Sequence, residues 1–251
     1  RLMVIKNPLF SVFTPTYQRA HTLDRLYQSL LRQQDKDFEW IVVDDGSTDS
    51  TKELIQGYAL EEKIKIKYIF KENGGKHTAH NEALKHAKGE LFLVIDSDDE
   101  LTDECLVKFR SIWENIPQSK KDDYAGIIGE VVIKQHQQFA SGKNIEGEFF
   151  DLCLKKIIVG EKIHLIKTSL MKKNPFPEDL ESINEYMVEG LVWLKVMKSK
   201  KIIFTSEPFR IYNRDEEDDL SLMNLGNNVL KGSLGKAYYC NEELANFKNS
   251  Y

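Results

Sequence analysis

The sequence predicts an α/β protein with a mostly parallel central sheet flanked by helices. Over the first 115 residues, short apolar runs alternate with segments whose apolar residues recur at helical spacing. This alternation is typical of parallel strands joined by right-handed crossovers. Two of the apolar runs end abruptly in acidic residues. Because an open α/β sheet binds its ligands at the carboxyl ends of its strands, we expect the ligand site at that edge.

The first half of the chain reads as strands that are each followed by a helix. Residues 9–14 (LFSVFT) form an apolar run that ends at Pro15, and residues 22–34 place apolar side chains on one helical face. The segments that follow are, in chain order, a buried strand at 40–43, a helix opened by a capping box at 50–53, an alternating strand at 64–70, a helix from the 73–75 turn to about residue 88, a buried strand at 91–95 and a helix at 102–114.

Beyond residue 115 the alternation of strand and helix loosens. The segments predicted there are strands at 125–133, 162–167, 201–205 and 208–212, a helix at 184–198, an acidic loop at 213–221 and a mostly helical segment at 222–248. We therefore divide the chain into a nucleotide-binding half at 1–115, a second half of the same domain at 116–221 and a helical C-terminal tail at 222–251. The second half is expected to supply the site of the other substrate.

The composition excludes several classes of protein. The 251 residues carry a net charge of −5 without a stripe of Lys and Arg, which argues against nucleic-acid binding. The three cysteines are far apart and form no CxxC pair, which favours a reduced compartment and argues against a structural zinc. Because no apolar stretch approaches the roughly 20 residues of a membrane span and no signal peptide is evident, we expect a cytoplasmic, soluble protein.

The most informative motif is the run DSDD at 96–99, directly after the buried 91–95 strand. Carboxylates this close repel one another, and a bound hard cation such as Mg²⁺ or Mn²⁺ relieves the repulsion. A calcium loop fits poorly because Leu101 and Val107 stand where such a loop needs Gly and Glu. A simple turn is the alternative, since Asp is common in turns. We favour a metal site that holds a phosphate-bearing ligand.

Two segments at other predicted strand ends also carry candidate residues. The run DDGS at 44–47 is partly explained as a turn and helix cap, but two acids exceed that need. One of the two carboxylates could accept hydrogen bonds from a base or ribose. Tyr17 follows the first strand, where its ring either packs on the sheet edge or stacks on a nucleobase.

The segment NGGKHTAHN at 73–81 offers groups that suit an anion. Its Gly-Gly turn permits close backbone approach, Lys76 brings positive charge, and the helix N-terminus points at the same place. His77 and His80 lack a further pair of ligands for zinc, so we expect them to form hydrogen bonds or to lie at the surface.

The predicted 184–198 helix carries Glu185, Glu189 and Trp193 at intervals of four residues, so these side chains lie along one stripe of the helix. Solvated glutamates are the ordinary interpretation of such a stripe. The neighbouring residues are apolar, however, so at least one carboxylate could face a partly desolvated cleft. Desolvation would raise the pKa of that carboxyl group and make it a better general base.

Together these segments resemble the inverting family 2 glycosyltransferases of the GT-A fold, from about residue 10 to residue 221. The residues that carry the resemblance are SVFTPTYQR at 11–19, WIVVDDGSTDST at 40–51, NGGKHTAHNEALKHAKGE at 73–90 and VIDSDDEL at 94–101. The later segment FPEDLESINEYMVEGLVW at 176–193 is similar to bacterial capsular and cell-surface polysaccharide members. The resemblance implies a GT-A, Rossmann-like sheet with a C-terminal acceptor-side extension.

The resemblance also implies roles for individual residues. It assigns base and ribose contacts to Pro15, Tyr17 and Asp45. It assigns a donor-phosphate contact to His80, which lies beside Lys76. Asp98 would bind the divalent metal, and Asp96 would bind the ribose or a water on the metal.

The same resemblance places the general base on the predicted 184–198 helix. It assigns that role to Glu189, four residues before Trp193, with Glu185 as the alternative. The family usually has Glu-Asp at the position of the base, whereas this chain has Val188-Glu189.

The activity implied is transfer of a hexosyl or N-acetylhexosaminyl group from a UDP-sugar to a hydroxyl of a glycan or lipid-linked glycan, in surface polysaccharide synthesis with Mn²⁺ or Mg²⁺. A lipid-linked acceptor would bring the protein peripherally to the inner membrane face. Two alternatives stay open. A non-catalytic sugar-nucleotide-binding protein would not need the DSD motif or the acid at 189. A sugar nucleotidyltransferase would need a Gly-rich, basic phosphate loop, which residues 14–20 do not supply.

Overall fold

The computed structural model describes residues 6–133, 143–155, 157–158, 161–178, 189–197 and 200–213. Within these residues the chain forms one nine-stranded sheet with helices on both faces. The predicted α/β class is therefore confirmed.

The first four strands are parallel, as predicted. They are β1 (Phe10–Thr16), β2 (Phe38–Asp44), β3 (Lys65–Phe70) and β4 (Leu91–Val94), and they lie in the order β3-β2-β1-β4. The helices between them are α1 (Ala20–Arg32), α2 (Thr51–Leu60) and α3 (Lys76–His86). The register sets Thr16 opposite Asp44, so the carboxyl ends of β1 and β2 reach the same edge of the sheet.

The first half also contains the short strand β5 (Glu100–Leu101) and helix α4 (Cys105–Glu114). The second half extends the same sheet with strands β6 (Tyr124–Ile133), β7 (Asn144–Glu148), β8 (Lys162–Lys167) and β9 (Lys201–Tyr212), and its helices are α5 (Phe149–Leu154), α6 (Thr168–Lys173) and α7 (Glu189–Met197). Strand β8 lies antiparallel between β4 and β6, and β9 runs parallel to β6. Strands β5 and β7 pair antiparallel with opposite ends of β9. The sheet is thus parallel from β1 to β4 and mixed beyond β4.

Several boundaries differ from the prediction, and strands β5 and β7 and helices α5 and α6 were not predicted. Residues 201–212 form one strand instead of two, because the pairing with β6 continues through an irregularity at Pro208. Helix α4 begins at Cys105, since the backbone N–H of Thr102 is held by the carbonyl of Phe209 in β9. Residues 214–251, which include most of the predicted acidic loop and the tail, lie outside the described part, as do residues 184–188.

The predicted capping box at 50–53 is wrong. The Ser50 side chain makes no capping hydrogen bond, and Oδ1 of Asp49 instead accepts from the backbone N–H of Thr51 at 3.1 Å. An aspartate carboxylate satisfies a free N–H of the first helical turn as well as a serine hydroxyl does.

Alternate residues of the central strands pack into two separate layers of core. Val12 and Trp40 point into the layer shared with α1, α2 and α4, whereas Phe13 and Ile41 point into the layer shared with α3, α6 and α7. All four side chains are fully buried. Burial on both faces explains why these strands read as continuous apolar runs.

Gly89 lies where the connection from α3 to β4 passes closest to β1, so its missing side chain is testable. A Cβ at residue 89 would overlap the backbone nitrogen of Ser11 and lie 2.5 Å from the backbone carbon of Phe10. Overpacking against backbone is costly, so we expect Gly89→Ala to lower the free energy of unfolding by about 2 kcal/mol.

Gly57→Ala provides the matched control for Gly89→Ala. Gly57 is exposed within α2, and nothing lies within 4 Å of an added Cβ. We expect this variant to raise the free energy of unfolding by about 0.5–1 kcal/mol, because glycine weakens a helix interior. Denaturant unfolding of both variants measures the difference, and a similar loss in both would contradict the packing argument.

Candidate functional site

The loop after β4 presents two carboxylates to solvent, and each is paired with a cation. We call residues 96–99 the aspartate loop. Nζ of Lys76, the first residue of α3, lies 2.6 Å from Oδ1 of Asp96, and Nη1 of Arg19, just before α1, lies 2.7 Å from Oδ2 of Asp98. The side chains of Asp96 and Asp98 are 32% and 26% exposed. Elements that follow two different strands therefore neutralise one loop.

The third carboxylate of the aspartate loop, that of Asp99, points into the protein. It is 1% exposed, and its Oδ2 lies 3.1 Å from Nε of Arg210 in β9. Its Oδ1 accepts a hydrogen bond from the backbone N–H of Asn213. Burial raises the pKa of Asp99, and the charge of Arg210 acts in the opposite direction. Asp99 therefore anchors the loop, while its neighbours face the solvent.

The side chain of Asp96 is only partly exposed. This partial burial by itself would raise the pKa of Asp96, but the charges of Lys76 and Arg210 together hold that pKa below its ordinary value. The backbone of the loop is fixed as well, because Nη2 of Arg25 donates to the carbonyl of Asp98 at 2.8 Å.

The carboxylates of the aspartate loop suit a divalent cation that substrate phosphates and water also coordinate. Within the described part of the chain, no group of three His, Cys, Asp or Glu side chains is placed to hold a metal. Asp96 and Asp98 offer two accessible carboxylates. Mg²⁺ and Mn²⁺ are commonly held by one or two carboxylates when substrate phosphates and water complete the coordination. The residues therefore fit a metal that arrives together with a diphosphate.

Asp44 and Asp45 follow β2, and both carboxylates shape the edge of the site. Oδ1 of Asp44 accepts from the backbone N–H of Ser47 at 2.8 Å, and Oδ2 accepts from the hydroxyl of Tyr68 at 2.7 Å. Asp44 is fully buried, so its role is to hold the turn.

Asp45 holds the Gly-Gly turn before α3. Its Oδ1 accepts from Nζ of Lys71 at 2.6 Å and from the N–H of Gly74 at 3.0 Å, and its Oδ2 accepts from the N–H of Gly75 at 2.7 Å. A carboxylate has about four acceptor positions, so these three donors leave one position of Oδ2 unfilled, on a side chain that is 7% exposed. Gly75 has a φ of +89°, which a glycine adopts at no steric cost.

Pro15 and Tyr17 lie at the carboxyl end of β1, next to this turn. The ring of Tyr17 is 40% exposed, as a stacking surface for a base requires. Oγ1 of the neighbouring Thr16 is buried, and it has no hydrogen-bond partner among the described residues. The side chain of Gln18 accepts from the N–H groups of Thr48 and Asp49, which ties the end of β1 to the turn after β2.

His80 occupies the core instead of the surface. Its ring is 4% exposed and packs edge-on against Phe13, Phe92, Phe176 and Trp193. Neither ring nitrogen has a hydrogen-bond partner in the described part, and burial lowers the pKa of His80 to about 3. The expectation of surface or hydrogen-bonded placement is wrong for His80, because this face of α3 packs on the sheet. A contact with donor phosphates would require the ring to leave this position.

Helix α7 begins at Glu189 and continues through Trp193, one turn later. The ring of Trp193 is 4% exposed and stacks on His164 of β8, with 4.8 Å between centroids and 9° between planes. The Trp193 ring also lies edge-on to His80, with 6.2 Å between centroids, so α7 packs on both α3 and β8. The side chain of Glu189 and all of Glu185 lie outside the described part.

Sequence reasoning missed three residues that the structure brings to the site. Arg19 closes the motif at 11–19 and pairs with Asp98, and Arg25 binds the backbone of the same residue. Arg210 reaches the aspartate loop from β9. It is the single charged residue in the apolar run PFRIY at 208–212, and a lone charge in a buried strand is a usable signal.

Comparison with known proteins places these segments among glycosyltransferases. The family model described as glycosyl transferase family 2 matches residues 11–159. GalNAc(5)-diNAcBac-PP-undecaprenol beta-1,3-glucosyltransferase from Campylobacter jejuni is 29% identical over 224 residues, which are 86% of this chain and 68% of that protein. Poly(ribitol-phosphate) beta-N-acetylglucosaminyltransferase TarS from Staphylococcus aureus is 28% identical over 193 residues, which are 71% of this chain but only 31% of that protein.

Solved structures support the same fold. The crystal structure of S. aureus TarS 1–349 in complex with UDP matches with a TM-score of 0.62 and 26% identity, over 82% of this chain and 60% of that one. A mannosyltransferase from Pyrobaculum calidifontis, solved with GDP-Man and Mn²⁺, matches with a TM-score of 0.57 at 20% identity and thus bears on the fold alone. Among the described residues, no helix combines the length and hydropathy that a bilayer crossing needs.

The enclosed ring of His80 predicts a loss of stability in acid. Its folded-state pKa of about 3 lies below the ordinary value of 6.5, so the unfolded chain takes up the proton first and stability is lost as the pH falls below about 6.5. Between pH 7 and pH 5, this group alone is expected to cost about 2 kcal/mol.

His80→Phe keeps an aromatic ring and removes the titrating group. Urea unfolding at pH 7 and at pH 5 measures how far the free energy of unfolding falls between the two pH values. We expect this fall to be about 2 kcal/mol smaller in His80→Phe than in the parent protein. His21→Gln on the exposed surface of α1 is the control and should leave the parental fall unchanged. An unaltered pH dependence in His80→Phe would mean that the ring is not held neutral in the core.

Proposed function

We propose that this chain, which belongs to glycosyl transferase family 2, transfers a sugar from a UDP-sugar to a hydroxyl of a glycan or lipid-linked glycan acceptor. The observation that carries the proposal is the pair of solvent-facing carboxylates, Asp96 and Asp98, at the carboxyl end of β4 and beside Lys76 and Arg19. Paired carboxylates suit a divalent cation, and the adjacent cations suit a diphosphate.

A UDP-sugar is the donor that the neighbouring residues favour. The exposed ring of Tyr17 offers a stacking surface at the end of β1, and Oδ2 of Asp45 retains an acceptor position for an N–H of the base. The solved complexes of TarS with UDP and with UDP-GlcNAc, at 26% identity, support the same donor class. Pro15 completes this base and ribose region in the proposal.

The residues of the aspartate loop would divide the work of holding the donor. Asp98 would bind Mn²⁺ or Mg²⁺ directly, and Asp96 would contact the ribose or reach the metal through water. When bound, the metal supplies Lewis-acid neutralisation of the leaving diphosphate. Lys76 and Arg19 would orient the diphosphate and stabilise its growing charge as it departs.

Transfer itself would be a single displacement. Glu189, or Glu185 as the alternative, would take the proton from an acceptor hydroxyl as that oxygen bonds to the anomeric carbon. The bond between the anomeric carbon and the diphosphate oxygen breaks on the opposite face, so the configuration inverts. The packing of Trp193 on His164 and His80 fixes the helix that begins at Glu189.

The names of two relatives support the acceptor class in this proposal. The C. jejuni relative is named as acting on an undecaprenol-linked glycan, and TarS as acting on poly(ribitol-phosphate). We propose a glycan or lipid-linked glycan acceptor of surface polysaccharide synthesis, and a cytoplasmic protein that works at the inner membrane face.

A thermal-shift panel of nucleotide sugars with and without Mn²⁺ tests the donor. UDP or a UDP-sugar at about 100 times its Kd should add roughly 2.7 kcal/mol of stability, and guanosine diphosphate should add far less. Incubation with donor and acceptor should release UDP. Release of pyrophosphate would identify a nucleotidyltransferase, and binding without transfer to any acceptor would identify a non-catalytic binding protein.

Asp98→Asn separates metal binding from folding. The amide keeps the shape of the side chain but loses its charge, so we expect UDP affinity in Mn²⁺ to fall to its metal-free level in calorimetric titration. Asp103→Asn, whose side chain is 65% exposed and pairs with Arg32, is the matched control and should bind UDP as the parent does. If Asp98→Asn keeps full metal-dependent affinity, Asp98 is not a ligand.

Glu189→Gln separates transfer from donor binding. We expect a loss on the order of a hundredfold in kcat, because the general base is removed, and UDP affinity in Mn²⁺ within twofold of the parent. Glu185→Gln, assayed in parallel, tests the alternative base. A parental rate in Glu189→Gln with a loss in Glu185→Gln would move the role to Glu185.

A further inference from the structure

We propose that Arg210 is a positioning residue that fixes the geometry of the aspartate loop, and through it the affinity for the metal–UDP pair. This inference rests on the proposed function. It concerns a residue of β9 that lies more than a hundred positions beyond the loop it would control.

The guanidinium of Arg210 reaches three carboxylates with three different nitrogens. Its Nε lies 3.1 Å from Oδ2 of Asp99, its Nη1 lies 3.9 Å from Oδ2 of Asp96, and its Nη2 lies 2.7 Å from Oε2 of Glu161. The Arg210 side chain is 9% exposed, so the group is held on several sides. Of these three contacts, the one with Glu161 is a hydrogen bond and those with Asp99 and Asp96 are ion pairs, and together they fix where the charge of Arg210 lies.

The position of Asp99 determines where Asp96 and Asp98 point. Asp99 is fully buried, and its backbone N–H donates to the carbonyl of Asp96 at 3.2 Å, so the residues from 96 to 99 form one tight turn. Without Arg210, the Asp99 side chain would keep only the backbone N–H of Asn213 as a polar contact among the described residues, so we expect that side chain to shift. A shift of Asp99 would change the positions of the two solvent-facing carboxylates in the same turn.

The backbone pairing of β5 with β9 does not need the Arg210 side chain. Leu101 lies opposite Arg210 in the ladder, and Glu100 lies opposite Ile211. The backbone N–H of Asn213 also binds Asp99. We therefore expect variants at position 210 to keep the fold and the β5–β9 pairing, while the side chains of the aspartate loop lose their arrangement.

The sign of the effect separates positioning from simple electrostatics. Removing a positive charge next to a cation site strengthens cation binding by Coulomb's law. Loss of position weakens it, and residues that orient metal ligands commonly contribute tenfold to a hundredfold in affinity. Arg210→Gln therefore has opposite expected outcomes under the two explanations.

The experiment is calorimetric titration of UDP into the parent, Arg210→Gln and Arg210→Lys, each with and without Mn²⁺. We expect Arg210→Gln to bind UDP about tenfold or more weakly in Mn²⁺ and within twofold of the parent without metal. Arg210→Lys keeps the charge but cannot span three carboxylates, so its affinity in Mn²⁺ should stay well below that of the parent.

Arg110→Gln is the matched control. Arg110 is also joined to three carboxylates, those of Asp35, Asp37 and Glu114, at a place apart from the aspartate loop. We expect a comparable change in unfolding midpoint and an unchanged UDP affinity in Mn²⁺. Asp99→Asn replaces the partner instead of Arg210, and the same metal-specific loss is expected of it if Arg210→Gln fails to fold.

The outcomes are distinct. If the parent binds UDP equally well with and without Mn²⁺, the proposed function fails and the role of Arg210 fails with it. If the parent depends on Mn²⁺ but Arg210→Gln binds UDP as tightly or more tightly, the proposed function stands and the positioning role is overturned. A loss in Mn²⁺ that Arg210→Lys fully restores would also overturn it, because charge alone would then suffice.

Discussion

The carboxyl end of β4 gathers like charge that the rest of the fold must neutralise. Residues 96–100 hold four carboxylates within five positions. Two unit charges 4 Å apart interact by about 4 kcal/mol at an effective dielectric constant of about 20, a large part of the net stability of a domain. Arg19, Lys76 and Arg210 reach this loop from before α1, from the start of α3 and from β9. The site therefore exists only when the parallel half and the second half of the sheet are both in place.

The parallel half could be predicted because local and global signals agree there. Strands buried on both faces leave continuous apolar runs, as at residues 40–43 and 91–95, and acids at the ends of those runs mark the functional edge. Strand β9 was divided in the prediction because Ser206-Glu207-Pro208 reads as a break. Its pairing with β6 continues across Pro208 through shifts in register, which depend on the neighbouring strand and leave no local signal. The sequence marks Arg210 as a lone charge among apolar residues, but its contact with the aspartate loop depends on how β9 pairs with β5.

His80 illustrates a different limit of sequence reasoning. The resemblance implies a donor-phosphate contact for His80, yet its ring lies among four aromatic side chains and acts as one more aromatic surface. Whether a histidine is used as a base, a ligand or a packing group depends on which face of α3 meets the sheet. In this protein that packing joins α3 to Trp193 and so links the half that carries the aspartate loop to the helix that begins at Glu189.

The ion pairs of the aspartate loop also indicate how the site could bind a metal and a diphosphate without leaving a charged side chain unpaired. Lys76 is 43% exposed and pairs with the solvent-facing carboxylate of Asp96, so its ammonium group can turn toward the incoming phosphates when the ribose or a water on the metal takes its place. The side chains of Arg19 and Arg210 are only 11% and 9% exposed, so neither can move away as readily as Lys76. Arg210 therefore keeps the loop in place while the partners of Asp96 and Asp98 change.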